Sequence, residues 1–277
     1  MPIITFWSDN EKTIGQTVST SLTATYMSME HNYKILLISA DYNNSTMEEC
    51  FGSLETNNDL VKNLISSKKI NLDTGINGLL KIADSNRITP EIIHDYTKII
   101  FKNRLEIIYS PSNYVIDNEN KFFENMKNII LNASRYYDYV FVDLKKGLRI
   151  VQQLDILEMS DVIVANINQN FKDIQNFIQN KDMKRFSNKV HWNICKYDKN
   201  SKYNSKNIVR KLLRKQEITE INYNTLVMEA AQEGNLVELL FRFRTLKGTE
   251  QENYVFIENI KKLIELIQLK FQSSRML

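Results

Sequence analysis

Short apolar runs alternate along this chain with longer stretches in which apolar residues recur at helical spacing. Several of the short runs are apolar at successive positions, which is typical of strands covered on both faces. The pattern predicts an α/β fold with a single domain of three layers. The middle layer is a mostly parallel sheet of about seven strands, and helices form the layer on each side of it. The predicted strands are IITFW (3–7), KILLIS (34–39), LEIIYS (105–110), YVFVDL (139–144), DVIVANI (161–167), VHWNIC (190–195) and ITEIN (218–222).

Each stretch with helical spacing predicts a helix. Thr89 followed by Pro90 marks a further helix start, because threonine caps a helix and proline fits its first position. No linker, repeat or low-complexity tract interrupts the pattern, so we expect one domain over 1–277, ending in an amphipathic helix at about 252–274. The other predicted helices cover 16–30, 121–136, 172–185, 205–215 and 226–241.

The composition excludes several kinds of protein. Lys and Arg number 36 against 33 Asp and Glu, so the net charge of +3 requires no nucleic-acid partner. The 2 cysteines are far apart, which argues against a disulfide framework and a cysteine metal cluster and fits a reducing compartment. The first residues lack a basic segment followed by an apolar core, and no apolar run approaches the ~20 residues that span a bilayer. We therefore expect a cytoplasmic protein.

The turn between the first predicted strand and helix has the position of a phosphate-binding loop. Such loops read GxxxxGK[ST], in which glycines expose backbone N–H groups, the lysine neutralises phosphate and the hydroxyl binds magnesium. The octet NEKTIGQT (10–17) keeps Gly15 and Thr17. Asn10 replaces the first glycine and Gln16 replaces the lysine. The context is therefore that of a phosphate-binding loop, whereas the lysine that would neutralise the phosphate is missing.

Three further segments resemble the ParA/MinD family of P-loop ATPases. They are LLISADYNNST with Asp41, YDYVFVDLKKG with Asp143, and INYNTLVMEAAQEGN with Asn224 and Gly234. The last matches the family pattern IPxNxxxxEAxxxG without a gap. The resemblance extends from residue 3 to about residue 270, and the segments NRITPEIIHDYTKIIFKNRLEIIYSPSN and KYDKNSKYNSKNI suggest the TadZ and related positioning proteins.

In that family two subunits enclose ATP, and a signature lysine at the start of the loop reaches across the dimer. The resemblance implies that Thr17 and Asp143 hold magnesium, that Asp41 orients the attacking water, and that the loop and Asn224 contact the nucleotide. Glu11 stands at the position of the signature lysine. We therefore expect binding of ATP and magnesium to be weakened, with cofactor contacts from Lys12, Gly15, Gln16, Thr17, Lys145 and Asn224.

The resemblance leaves three functions open. The first is a homodimeric positioning or scaffolding factor of the TadZ type, serving a pilus, secretion or partition apparatus with little or no ATP hydrolysis. The second is a slow ATPase in which Lys12, Lys145 or Lys146 replaces the missing lysines. The third is a DNA-binding module that does not depend on nucleotide.

Two surface features bear on possible partners. Residues 196–215 are strongly basic, and Lys206, Arg210 and Arg214 recur every four positions, which predicts one basic stripe on a helix. Such a stripe could contact DNA phosphates or be an ordinary solvated helix face. The last predicted helix is amphipathic like a membrane-surface helix, but its polar face carries glutamates beside the lysines. We expect it to pack on the domain, so membrane binding is not predicted.

Overall fold

The computed structural model describes residues 1–9, 15–42, 44–52, 76–85, 87–111, 119–147, 151–213, 217–248 and 252–274. Two predicted site residues lie outside these ranges. Lys12 belongs to segment 10–14, which precedes the described part of the loop, and Arg214 follows the described part of the basic segment.

The centre of the domain is an 8-stranded sheet with the order β3-β4-β2-β5-β1-β6-β7-β8. All neighbouring strands are parallel except the edge pair β3 and β4. The mostly parallel α/β fold predicted from the sequence is therefore confirmed. The strands are β1 (Ile3–Trp7), β2 (Ile35–Ala40), β3 (Lys98–Phe101), β4 (Leu105–Ile108), β5 (Tyr139–Leu144), β6 (Val162–Ile167), β7 (Val190–Tyr197) and β8 (Ile218–Asn222).

Helices cover both faces of the sheet. The described helices are α1 (Gln16–Glu30), α2 (Thr46–Phe51), α3 (Ile76–Asp84), α4 (Pro90–Asp95), α5 (Glu119–Ala133), α6 (Val151–Met159), α7 (Phe171–Gln179), α8 (Lys181–Arg185), α9 (Ser205–Ile208), α10 (Thr225–Glu233), α11 (Leu236–Arg244) and α12 (Glu252–Ser274). Buried side chains of α3, α4, α5, α6, α7 and α9 form the core on one face. Those of α1, α2, α10, α11 and α12 form the core on the other face, which gives the three layers.

The sequence did not predict β3. Its four residues, KIIF, lie at the edge of the sheet in an antiparallel hairpin with β4, and none of them is fully buried. An edge strand is exposed on one side, so it lacks the continuous apolar pattern that identified the central strands.

Three predicted helices differ from the observed ones. The predicted helix 226–241 is two helices, because Gly234 adopts a left-handed conformation with φ 76° and ends α10. The predicted helix 172–185 is divided at Asn180 into α7 and α8. The predicted helix 205–215 is α-helical only to Ile208 and continues as a π-helical turn, Val209–Leu213.

The C-terminal helix α12 packs on the domain as expected. Its apolar face is buried against α1 and the sheet, with Ile260 and Leu263 fully buried. Thr89 also caps α4 as predicted, since its hydroxyl accepts a hydrogen bond from the Ile92 N–H. Within the described ranges, no helix combines the length and the apolar character needed to cross a bilayer.

Candidate functional site

Most of the predicted site residues lie at the carboxyl edge of the parallel strands. β1 is in the middle of the sheet, between β5 and β6, and the chain turns from it into α1. Gly15 caps this helix in a left-handed conformation, with φ 86° and ψ 18°. The first N–H groups of a helix have no partner within the helix and favour anions. The carboxyl edge of an open parallel sheet is also where such folds bind ligands.

Gln16 is bonded to the acidic strand next to it. Its Nε2 donates to Asp143 Oδ1 and to the Leu144 carbonyl oxygen, both at 2.7 Å. The Gln16 side chain is 1% exposed and Asp143 is fully buried. Gln16, at the lysine position of the motif, therefore carries no charge and does not present its amide to solvent. Its amide donates a hydrogen bond to a buried carboxylate instead.

The Asp143 carboxylate is unusually hard to ionise. Its pKa is raised to about 6. Burial is the main cause and the charge of Asp41 adds to it, while hydrogen bonds from Gln16 and Thr17 and the charge of Lys146 act in the opposite direction. Asp143 Oδ2 and Gln16 Oε1 are both buried without a hydrogen-bond partner in the described part of the chain. A carboxylate oxygen of this kind beside a hydroxyl is the donor set that magnesium prefers. These residues therefore fit a magnesium ion, with one carboxylate oxygen already held by Gln16.

Asp41 lies beside the same cluster. It follows β2, which pairs with β5 so that Ser39 is opposite Asp143 and Ala40 is opposite Leu144. The Asn44 side-chain amide donates to Asp41 Oδ2 at 2.8 Å, and the Asp41 side chain is partly exposed. The structure thus brings together Gln16, Thr17, Asp41 and Asp143.

The two lysines that follow Asp143 have different surroundings. Lys145 Nζ lies 3.5 Å from the centre of the Tyr42 ring, and the Tyr42 hydroxyl donates to Glu119. Lys146 is close enough to Asp143 to lower its pKa. The predicted cofactor contact was Lys145, whose ammonium group lies over the Tyr42 ring. The lysine whose charge acts on Asp143 is Lys146.

A groove runs along the ends of β7 and β8. It has a volume of about 870 Å³ and includes Lys196, Asp198, Tyr223, Asn224 and Asn253. Asn224 also has a local role there, since it caps α10 by accepting from the Val227 N–H at 3.2 Å and donates to Asn253 Oδ1 at 2.7 Å. A small cavity of about 20 Å³ borders Gly15 and shares Lys196 and Asn224 with this groove. Gly15 and Asn224 therefore border one continuous region.

Solved structures share this whole arrangement of elements. A ParA family ATPase from Chlorobium tepidum TLS superposes with a TM-score of 0.68 at 15% identity, over 96% of this chain and 98% of that chain. The septum site-determining protein MinD of Pyrococcus horikoshii OT3, complexed with Mg-ADP, gives 0.64 at 14% identity, over 97% and 98%. MinD in the MinC:MinD complex of Aquifex aeolicus gives 0.62 at 18% identity, over 96% of both chains.

The chain has the ParA/MinD fold. The agreement is in structure, because no protein-family model matches the sequence. Curated proteins yield no match either. The likeness covers 96 to 97% of this chain, so it includes β1 and α1 on either side of the predicted phosphate-binding loop.

Beyond Lys196, the basic side chains of the described part of the segment lie on the surface. Lys206 and Arg210 are exposed, and so are Lys199, Lys202 and Lys211. The segment is α-helical only to Ile208 and continues as a π-helical turn. Because Arg214 lies outside the described residues, the stripe of Lys206, Arg210 and Arg214 stays a prediction.

Sequence reasoning missed Lys196 as a residue of this site. We predicted only that it belonged to the basic segment, whereas its side chain lies against Gly15 and borders both the groove and the small cavity. A usable signal was its position at the end of the strand VHWNIC, since the carboxyl end of a parallel strand is where ligand-binding residues collect.

Proposed function

We propose that this protein is a homodimeric positioning or scaffolding factor of the cytoplasm, of the TadZ type, which binds nucleotide weakly and hydrolyses ATP very slowly or not at all. It would serve a larger assembly such as a pilus, secretion or partition apparatus. The observation that carries the proposal is the bond from Gln16 to Asp143 at 2.7 Å. The residue that should neutralise phosphate is instead a neutral amide committed to the protein's own carboxylate.

The energetic argument follows from charge. A charge-assisted hydrogen bond contributes roughly 1.5–3 kcal/mol, and a like-charge contact at about 4 Å costs about 4 kcal/mol at an effective dielectric constant of 20. Two lysines of the motif are replaced and Glu11 adds a negative charge. A loss of about 5 kcal/mol or more follows, which is on the order of a thousandfold in affinity. The transition state of phosphoryl transfer depends still more on fixed positive charge.

The remaining residues support weak binding. The first N–H groups of the 15-residue helix α1 favour an anion, and Thr17 with Asp143 would hold magnesium. Magnesium, when bound, would neutralise phosphate charge. For both Asp143 oxygens to be used, the Gln16 amide must turn away from Oδ1. This rearrangement is a further reason to expect weak binding.

The names of the structural neighbours support a role in positioning. One is a septum site-determining protein, and another is a cell division protein complex of MinC and MinD. These roles belong to those proteins, and we extend only the general idea of positioning to this chain.

Calorimetric titration with Mg-ATP, together with phosphate release followed over hours, tests the proposal. We expect weak or unmeasurable heat and no phosphate release above that of the Asp41→Ala variant, which reports contaminating activity. Micromolar affinity with steady turnover that Asp41→Ala abolishes would instead support the slow ATPase, with Lys12, Lys145 or Lys146 supplying the missing charge.

One observation favours DNA binding as a second function. Lys199, Lys202, Lys206, Arg210 and Lys211 are all exposed within one short segment. Such a surface can bind DNA phosphates whatever the state of the nucleotide site. This function can accompany the first, because Lys202, Lys206, Arg210 and Lys211 border neither the groove nor the small cavity.

A further inference from the structure

Lys196 has a backbone conformation that side-chain residues rarely adopt. Its φ is 51°, and apart from Asn103 no other non-glycine residue in the described ranges has a positive φ. It lies in β7, where the pairing with β8 shifts register between Ile194 and Tyr197. A strained residue of this kind persists only where its surroundings fix it, and such residues collect at ligand sites.

The side chain of Lys196 crosses from β7 to the beginning of α1. A Cβ added at Gly15 would lie 3.4 Å from Lys196 Cε and 3.5 Å from its Cγ. The aliphatic part of the lysine therefore covers Gly15, and its ammonium group is one bond beyond Cε. The positive charge of Lys196 is therefore near the beginning of α1, where Gln16 carries none.

Lys196 also joins the two parts of the site. It borders the small cavity next to Gly15 and the groove of about 870 Å³ that contains Tyr223 and Asn224. A ligand with phosphates at Gly15 and its remaining part in the groove would pass directly along this side chain. A nucleoside diphosphate or triphosphate has that shape and charge distribution. Lys145, by comparison, is positioned on the Tyr42 ring.

We propose that Lys196 is the cation that binds the phosphates of a nucleotide in this protein, in place of the loop lysine that Gln16 replaces. The inference rests on the proposed function only in that a nucleotide still binds at Gly15. The left-handed backbone and the register shift direct the side chain to this place. Lys196 is a binding residue in this scheme, and no catalytic step is assigned to it.

The test compares Lys196→Met with Lys102→Met in calorimetric titrations with ADP and with adenosine. Methionine keeps an aliphatic chain over Gly15 and removes the charge, whereas Lys102 is an exposed lysine that borders neither the groove nor the small cavity. We expect Lys196→Met to weaken ADP binding by ~10- to 100-fold, which is the range of one charge-assisted hydrogen bond. Lys102→Met should change the ADP affinity by less than about twofold, because exposed charges far from a ligand contribute little. Adenosine has no phosphate, so neither variant should alter its affinity.

Lys196→Arg provides a second variant that keeps the charge, and we expect it to retain most of the ADP affinity. Equal ADP affinity for Lys196→Met and the wild type would overturn the assignment. A wild type that binds no ADP would overturn it as well. Neither result would affect the proposed lack of hydrolysis, which fails separately if the wild type releases phosphate from ATP at a steady rate.

Discussion

Gln16 Nε2 lies 2.7 Å from Asp143 Oδ1, so the residue at the loop-lysine position donates a hydrogen bond to the carboxylate that we propose as a magnesium ligand. The two side chains are 127 residues apart in sequence and both are buried. An amide can neutralise a buried carboxylate only partly, whereas a lysine would do so fully and would still have N–H groups left for a phosphate. We therefore propose that glutamine at this position stabilises the ligand-free site and weakens phosphate binding.

Gln16→Lys should strengthen nucleotide binding. The ammonium group would add a positive charge at the N-terminus of α1 while remaining within reach of Asp143. We expect Mg-ADP to bind ~10- to 100-fold more tightly, as measured by calorimetric titration. Turnover of ATP should stay low, because Glu11 still occupies the position of the signature lysine.

Gln16→Met is the matched control for this gain, since methionine has a similar length and carries neither charge nor amide. It should not strengthen Mg-ADP binding. If the lysine and methionine variants bound Mg-ADP equally well, the missing charge at this position could not be the cause of weak binding.

The raised pKa of Asp143 predicts a pH-dependent stability. Its pKa is about 6 in the folded protein against an ordinary value of 3.8, so the folded state holds the proton more tightly. The resulting stabilisation is complete below about pH 4 and is lost as the pH rises through 6, a change of about 2 to 3 kcal/mol at 1.36 kcal/mol per pKa unit. Asp143→Asn cannot titrate, so it should gain stability relative to the wild type over this interval.

Urea unfolding of both proteins at several pH values between about 4 and 8 measures this difference. The variant Asp155→Asn removes a partly exposed carboxylate that pairs with Lys127, and it controls for the loss of an acidic group elsewhere. A constant difference between Asp143→Asn and the wild type across this range would show that Asp143 ionises normally in the folded protein.

The sequence predicted the central sheet because its strands are buried on both faces. KILLIS and YVFVDL are apolar at successive positions, and they become β2 and β5. KIIF was missed because an edge strand is only half buried. The helix break at Gly234 was also missed, since a glycine within a helical pattern ends the helix only when its neighbours favour the left-handed conformation.

The sequence motifs named candidate residues of the site, but they did not predict which of these residues contact each other. The motifs placed Thr17, Asp41 and Asp143 at one edge of the sheet, because parallel strands end together there. The bond between Gln16 and Asp143 depends on a tertiary contact that no motif encodes. The same is true of Lys196, whose position over Gly15 depends on a register shift and a positive φ.

Gly234 should be intolerant of substitution because of a neighbouring glycine. A Cβ added there would lie 2.6 Å from Gly52 Cα and 2.7 Å from Gly52 N, which are backbone atoms that cannot move aside easily. Its φ of 76° adds strain for any other residue. We expect Gly234→Ala to lower the free energy of unfolding by about 2 to 4 kcal/mol, measured by urea denaturation.

Gly248→Ala is a control for the backbone strain alone. Gly248 has a φ of 120°, and a Cβ added there would meet nothing within 4 Å. We expect a loss of about 1 kcal/mol in this variant. Similar losses for both alanine variants would mean that the contact of Gly234 with Gly52 contributes nothing beyond the backbone conformation.

The exposed basic segment predicts DNA binding that depends on salt. Contacts with phosphates release counterions, so the affinity of the wild type for a duplex of random sequence should fall steeply between about 50 and 200 mM salt. Charge reversal at Lys206 and Arg210 together should abolish the binding, as measured by fluorescence anisotropy.

Lys102→Glu with Lys247→Glu makes the same change of charge at two exposed lysines outside the segment, and it should leave most of the binding intact. Equal losses in the two double variants would indicate a response to net charge alone, and a wild type without measurable DNA affinity would leave the segment as a solvated surface.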